Sequence, residues 1–108
     1  MNVRDFKQSL ESLVPPANLS LGLQALWQAA KERWETAHLM VQTQDDHGSA
    51  WVHAFLHRKE GDEQNAMFWY RRAGRKMPYT SLAEEWDEIA AELLAREEQG
   101  LGGVRRIA

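Results

Sequence analysis

The chain contains no cysteine, which removes disulfides, thiolate metal ligands and a cysteine nucleophile, and fits a reducing compartment such as the cytoplasm. Long apolar runs are missing too. The longest is five residues, Ala66 to Tyr70, against about 20 for a membrane-spanning helix. The opening residues, Met1 to Lys7, lack the apolar stretch of a signal peptide, so neither membrane insertion nor export is expected. Basic residues are not in excess: 13 Lys and Arg face 16 Asp and Glu, for a net charge of −3. Nucleic acid is therefore not an expected partner through overall charge. No glycine loop of phosphate-binding type is present, and no serine sits in a nucleophile elbow. With no nucleophile, base and oxyanion donor placed together, an enzyme is not expected.

What is present is helical. The 108 residues suffice for one core, since a domain of this size buries roughly two-thirds of its unfolded surface. Val3, Phe6, Leu10 and Leu13 keep helical spacing up to Pro15-Pro16, which predicts an N-terminal helix within 1–14. Residues 19–42 are rich in good helix formers, but Leu23, Leu26, Trp27 and Ala30 define a different stripe from Trp34, Ala37 and Val41. That shift predicts two helices with a turn at Lys31-Glu32-Arg33, the alternative being one unbroken helix. Asp45-Asp46-His47-Gly48 reads as a loop, followed by a helix over Ser49 to Glu60. Gly61 stops it and Asp62 caps the next helix, which closes at Lys76-Met77-Pro78. Ser81 and Glu84 form a capping box for a last helix within 81–99. Residues 100–108 read as a flexible tail.

The expected fold is all-α, five or six short antiparallel helices stacked as hairpins in one domain over 1–99. A shift of 29 residues aligns Ala25-Leu26 with Ala54-Phe55, and Trp34-Glu35-Thr36-Ala37 with Glu63-Gln64-Asn65-Ala66. Small residues recurring at facing positions let helices approach closely, as in repeated hairpins. The turn Gly61-Asp62, then Asn65-Ala66 and Trp69-Tyr70-Arg71-Arg72-Ala73, makes residues 20–75 resemble degenerate tetratricopeptide or Sel1-like hairpins. Within that stretch, WVHAFLHRKEGD (Trp51 to Asp62) and NAMFWYRRAG (Asn65 to Gly74) are similar to a small family of uncharacterised bacterial proteins. The chain departs from that family in having Phe55 for its usual Tyr, and Glu32-Arg33 for its usual Gly-Asp turn. The resemblance implies a right-handed stack of hairpins over 19–76, capped by the first and last helices, and it implies no activity.

Two constellations stand out. Phe68, Arg71, Arg72 and Arg75 follow the i, i+3, i+4, i+7 spacing, which places one aromatic ring and three guanidinium groups on one helix face. Arginine grips carboxylates bidentately and stacks on rings, so this face suits an acidic or anionic protein partner. Its competitor is an intramolecular use, pairing with the acidic stripe Glu84, Glu88 and Glu92. The same stripes on two chains would make a homodimer. The second constellation is His53 and His57, four residues apart on one helix and so about 40° apart around it. With a carboxylate such as Glu60 or Asp46 to complete the site, the pair could hold zinc. Without it, they are surface or interhelical histidines, on a face expected to lie away from the apolar arc of Trp51, Val52, Phe55 and Leu56. The pair does not make a metalloprotease helix, because Ala54 stands where a Glu is needed and His38 and His47 both precede the pair, leaving no downstream His. The leading expectation is thus a cytoplasmic, non-enzymatic interaction module without a cofactor, and the alternative is a metal-binding or metal-sensing protein. The five Trp all fall on apolar stripes and are expected in the core, their indole N–H groups needing acceptors.

Overall fold

The structure, a computed structural model, describes residues 1–98; Gln99 and the expected tail at 100–108 lie outside the described residues. It is all-α. The elements run α1 (Val3–Gln8), a 3-10 turn (Ser9–Glu11), α2 (Leu21–Ala30), α3 (Trp34–Val41), α4 (His47–Glu60), α5 (Glu63–Arg72) and α6 (Leu82–Glu98). The expected break at Lys31–Arg33 is present. Glu32 takes the left-handed conformation there (φ 61°), without glycine to ease it. Gly61, at the matching place between α4 and α5, does the same (φ 89°). The two turns close with equivalent bonds: Arg33 N–H donates to the Gln28 carbonyl as Asp62 N–H donates to that of His57. Each turn joins helices that pack extensively on one another, α2 with α3 and α4 with α5.

Sequence signals set most of the helix ends. Asn2 caps α1, Ser20 caps α2 and Asp62 caps α5, each side chain accepting a backbone N–H three residues on. The capping box of α6 is reciprocal: Ser81 N–H donates to Glu84 and Glu84 N–H to the Ser81 hydroxyl, both at 3.0 Å. Three expectations need correction. Helix α5 does not run on to Lys76: it ends at Arg72, and Gly74 turns the chain in the left-handed conformation (φ 74°), so Arg75 lies beyond the helix rather than on its face. Asp45 to Gly48 is not all loop, because Asp46 accepts from Ser49 N–H and starts α4 at His47. The N-terminal segment is helical only over α1 and the 3-10 turn, ending before Pro15-Pro16.

The core is built around α4, whose residues Gly48 to His57 are all buried. Its neighbours are α2, α3, α5 and α6. The last helix is therefore no peripheral cap: Trp86, Ile89, Ala90, Leu93 and Leu94 enter the core directly. Alanines at 25, 54 and 66, all fully buried, keep the helices close. Trp27, Trp51 and Trp86 are buried, as their stripes predict, whereas Trp34 and Trp69 are half-buried. Four indoles find acceptors: the Ser9 hydroxyl for Trp27, the Leu56 carbonyl for Trp34, Glu85 for Trp51 and the Leu26 carbonyl for Trp86.

Glu85 is the one acid in this core, fully buried. Its carboxylate accepts from the Tyr70 hydroxyl at 2.6 Å, the Arg58 guanidinium at 2.7 Å and the Trp51 indole at 3.2 Å. Arg58 also donates to the Thr80 carbonyl. A buried charge is tolerated only when paired and hydrogen-bonded, and here one carboxylate ties α4, α5 and α6 together. Burial, and then the bond to Glu85, push the Tyr70 phenol above its ordinary pKa. Glu85→Ala strands the buried Tyr70 and Trp51 donors and unpairs the half-buried Arg58, and is expected to cost about 3–5 kcal/mol. The measure is the urea midpoint at unchanged m-value; a native-like midpoint would mean the carboxylate is dispensable.

Candidate functional site

Two places on the molecule gather chemistry. The first is a cleft of about 830 Å³ between α5, the end of α4 and the linker that leads into α6. Its walls carry four cations, Arg58, Arg71, Arg75 and Lys76, against one acid, Glu63, with Met67 and Tyr79 among the apolar lining. The face expected from the arginine spacing is divided by this geometry. Arg71 and Arg75 line the cleft, whereas Phe68 and Arg72 do not. The Arg72 guanidinium instead lies 5.9 Å from the Phe68 ring centroid and 5.5 Å from that of Trp69. Arg75 is used within the molecule, seated 3.4 Å from the Trp51 ring and paired with Glu92 at 2.5 Å. Of the acidic stripe, Glu92 thus meets an arginine, while Glu84 belongs to its capping box. Arg71 and Lys76 form no salt bridge among the described residues.

The second place is a histidine cluster. His53 and His57 do not lie on a solvent face; both are buried where α4 meets α3 and α5, and they stack at 4.9 Å. The reason is that α4 is enclosed on every side, so the arc opposite Trp51 and Phe55 is interior as well. His38, half-buried on α3, joins them: its Nε2 is 3.0 Å from Nε2 of His53. One ring nitrogen of each histidine lies within 4.8 Å of the others. Glu60 sits where the helical spacing puts it, its carboxylate 2.8 Å from Nδ1 of His57. Two tryptophans wall the cluster. Trp34 stacks on His38 at 4.8 Å and Trp69 on His53 at 3.9 Å.

No family model, no curated protein and no solved structure matches the chain.

A 3.0 Å contact between two Nε2 atoms has room for one proton, so one of the two rings donates there and the other accepts. Burial foremost, then the neighbouring His38 and His57, lower the pKa of His53 to about 3. Burial and His57 also lower that of His38, Glu60 opposing them. His53 Nδ1 is buried with no hydrogen-bond partner. Of the residues singled out from sequence, then, His53, His57 and Glu60 converge and gain His38. The helical spacing that pairs His53 with His57 carries no information about α3, which is why His38 was passed over. Arg58 and Lys76 in the cleft were missed for the same reason, since they come from separate elements. Glu85 was legible in principle: it lies one turn before Ile89 on the apolar stripe of α6, the wrong place for a solvated acid.

A histidine kept neutral by the fold makes the protein sensitive to acid. His53 binds its proton near pH 3 when folded but near the ordinary histidine value of 6.5 when unfolded. Its contribution is therefore complete above about pH 6.5 and is lost progressively as pH falls toward 3, with a slope of at most about 1.4 kcal/mol per pH unit. His38 acts in the same direction. In chelator-treated protein the urea midpoint is expected to fall steadily between pH 7 and pH 5. The His53 ring resonances are expected not to titrate over that range. A midpoint independent of pH there would contradict the buried, neutral cluster.

Proposed function

We propose that the protein is a non-enzymatic interaction module that takes an acidic segment of a protein partner into the cleft beside α5. The observation that carries this reading is the pair Arg71 and Lys76, two cations on the cleft wall that form no ion pair among the described residues. Around them the protein carries a net negative charge, so the cleft is a local reversal of sign that would attract acidic side chains. Met67 and Tyr79, both exposed, add adaptable apolar surface beside the charges. The partner's carboxylates would pair with Arg71 and Lys76 while an apolar neighbour packs on Met67. Phe68 and Arg72, part of the face expected from sequence, turn away from this cleft and contribute to a separate stacked surface.

The scaffold supports the same reading. Two hairpins, α2–α3 and α4–α5, share left-handed turn positions and closing bonds at an offset of 29 residues (Glu32 and Gly61, Arg33 and Asp62). We take them as a tetratricopeptide-like pair of repeats, the kind of array that offers one surface to a partner. A homodimer using the Glu88 region against a second chain's cleft is an outcome of the same test.

The probe is a fluorescein-labelled peptide of alternating glutamate and leucine, followed by anisotropy. Reversing both charges, Arg71→Glu with Lys76→Glu, is expected to weaken binding at least tenfold, with helicity unchanged by circular dichroism. Raising salt weakens the native complex in the same sense. Arg72→Glu is expected to leave it unaltered. Equal binding by the double variant and the native protein would remove the cleft as the site.

A further inference from the structure

We propose that His38, His53 and His57 form a binding site for a divalent transition-metal ion of the zinc class, with Glu60 orienting His57. The donor set selects the ion. Imidazole nitrogen suits zinc, nickel, cobalt and copper, whereas magnesium and calcium want oxygen. The spacing is close to what such an ion needs. Nitrogens at a Zn–N distance of about 2.0–2.1 Å stand about 3.3 Å apart in a tetrahedron. Here Nε2 of His38 and of His53 are 3.0 Å apart, and one nitrogen of each of the three rings falls within 4.8 Å. The two donors nearest together already have the separation of a chelate. The third, within 4.8 Å of both, has at most about 1.5 Å to close, a movement that side-chain rotations supply. His38 is the half-buried edge of the cluster and has the freedom to adjust.

Glu60 supplies what a ligand histidine needs behind it. With its carboxylate 2.8 Å from Nδ1 of His57, that nitrogen holds the proton and Nε2 is left bare to bind metal. The walls favour the same chemistry. Trp34 and Trp69 flank the rings, and Trp34 is itself held by a 2.7 Å bond to the Leu56 carbonyl. Such walls limit water and fix ring orientation. Three nitrogens leave a fourth coordination position for water or an exogenous ligand.

As a hydrogen-bonded cluster, the three rings perform poorly. Three histidines stand together in the interior, and Nδ1 of His53 is buried with nothing to bond. Apolar side chains would fill the same space without that penalty. An ion shared by the three rings relieves the close approach of two nitrogen donors that otherwise compete for one proton. A neighbouring group, His57, Glu60 and Asp62, also lies within 4.8 Å. Asp62 is already engaged, capping α5 and accepting from both the backbone and side-chain nitrogens of Asn65. The three-histidine arrangement is therefore the site we assign. Because His38 is on α3 and the other two are on α4, the ion would clamp one hairpin to the next.

The test uses the full chain without a histidine tag, stripped with chelator, and titrated with zinc chloride by calorimetry and with cobalt chloride by visible absorption. One zinc per chain, a visible cobalt spectrum of four-coordinate intensity and a rise in Tm of about 10 °C at a hundredfold excess over Kd are expected. His38→Ala, at the edge of the core, is expected to stay folded and weaken zinc binding at least a hundredfold. Glu60→Gln weakens it about 10- to 100-fold. Asp62→Asn and His47→Ala leave it unchanged. No binding, binding undiminished in His38→Ala, or magnesium binding equal to zinc would each overturn the assignment. Should His38→Ala fail to fold, His38→Gln is read by the cobalt spectrum in its place, with the native spectrum overturning the site.

Discussion

A helix without a solvent face has to find a partner inside the protein for every polar side chain it carries, and α4 is enclosed from Gly48 to His57. Most of the arrangement follows from that constraint. Trp51 sends its indole N–H to Glu85, and Glu85 can be buried only because Tyr70 and Arg58 also reach it. Ser49 closes the start of the helix on Asp46. His53 and His57, which cannot turn to water, meet His38, Glu60 and the rings of Trp34 and Trp69. One side of α4 is thus an ionic network with α6 and the other an imidazole cluster with α3.

Enclosure on this scale requires close neighbours, and small residues provide them. Gly22 of α2 faces Gly48 of α4 so closely that a Cβ on Gly22 would lie 3.6 Å from the Gly48 backbone and 3.3 Å from Leu93. A Cβ on Gly48 would meet the tip of Leu93 at 3.0 Å. A Cβ at 22 or 48 would require the Leu93 tip to give way by a few tenths of an ångström, so glycine at these positions serves close packing and not a turn. At Gly61 the need is different, because the positive φ of the α4–α5 turn is what glycine adopts without strain. Glu32 holds the same conformation without that freedom, so its turn is maintained by the packing of α2 on α3 and by the bonds that close it.

These differences explain what could be read from the amino-acid sequence. The capping box at Ser81 and Glu84, the cap at Asp62 and the helical class were legible because each depends on residues within one turn of one another. The turn at Lys31–Arg33 was legible through a change of stripe, even though no glycine marks it. The site was legible only where it is local. His53, His57 and Glu60 lie on one helix and could be grouped; His38 is 15 residues away on another helix, and only the hairpin packing brings it in. Whether the pair is at the surface or between helices stays open in the sequence, because four aromatic and aliphatic residues suffice to define an apolar arc and leave the rest of the helix unassigned. Nothing local says that other helices will cover the remaining arc. The arginine face was grouped by spacing on α5, but competing acceptors on other elements, Trp51 and Glu92 for Arg75, decide where each guanidinium goes.

Helix α5 links the two places where chemistry gathers. Trp69 stacks on His53, the next residue, Tyr70, holds Glu85, and Arg71 lines the cleft. Consecutive positions on a helix point about 100° apart, so three neighbours necessarily serve three different surroundings. Trp69 also carries Phe68 at 5.2 Å and Arg72 on its outer side, which connects the imidazole cluster to the exposed stacked surface through a single ring. Within α5, Trp69 is the residue stacked on His53 and so meets any change in its position directly. Such a change reaches Arg71 only through the α5 backbone, which Tyr70 anchors to a fully buried carboxylate. That anchor argues for independence: the histidine cluster and the cleft are neighbours along one helix, held apart by the Glu85 network between them.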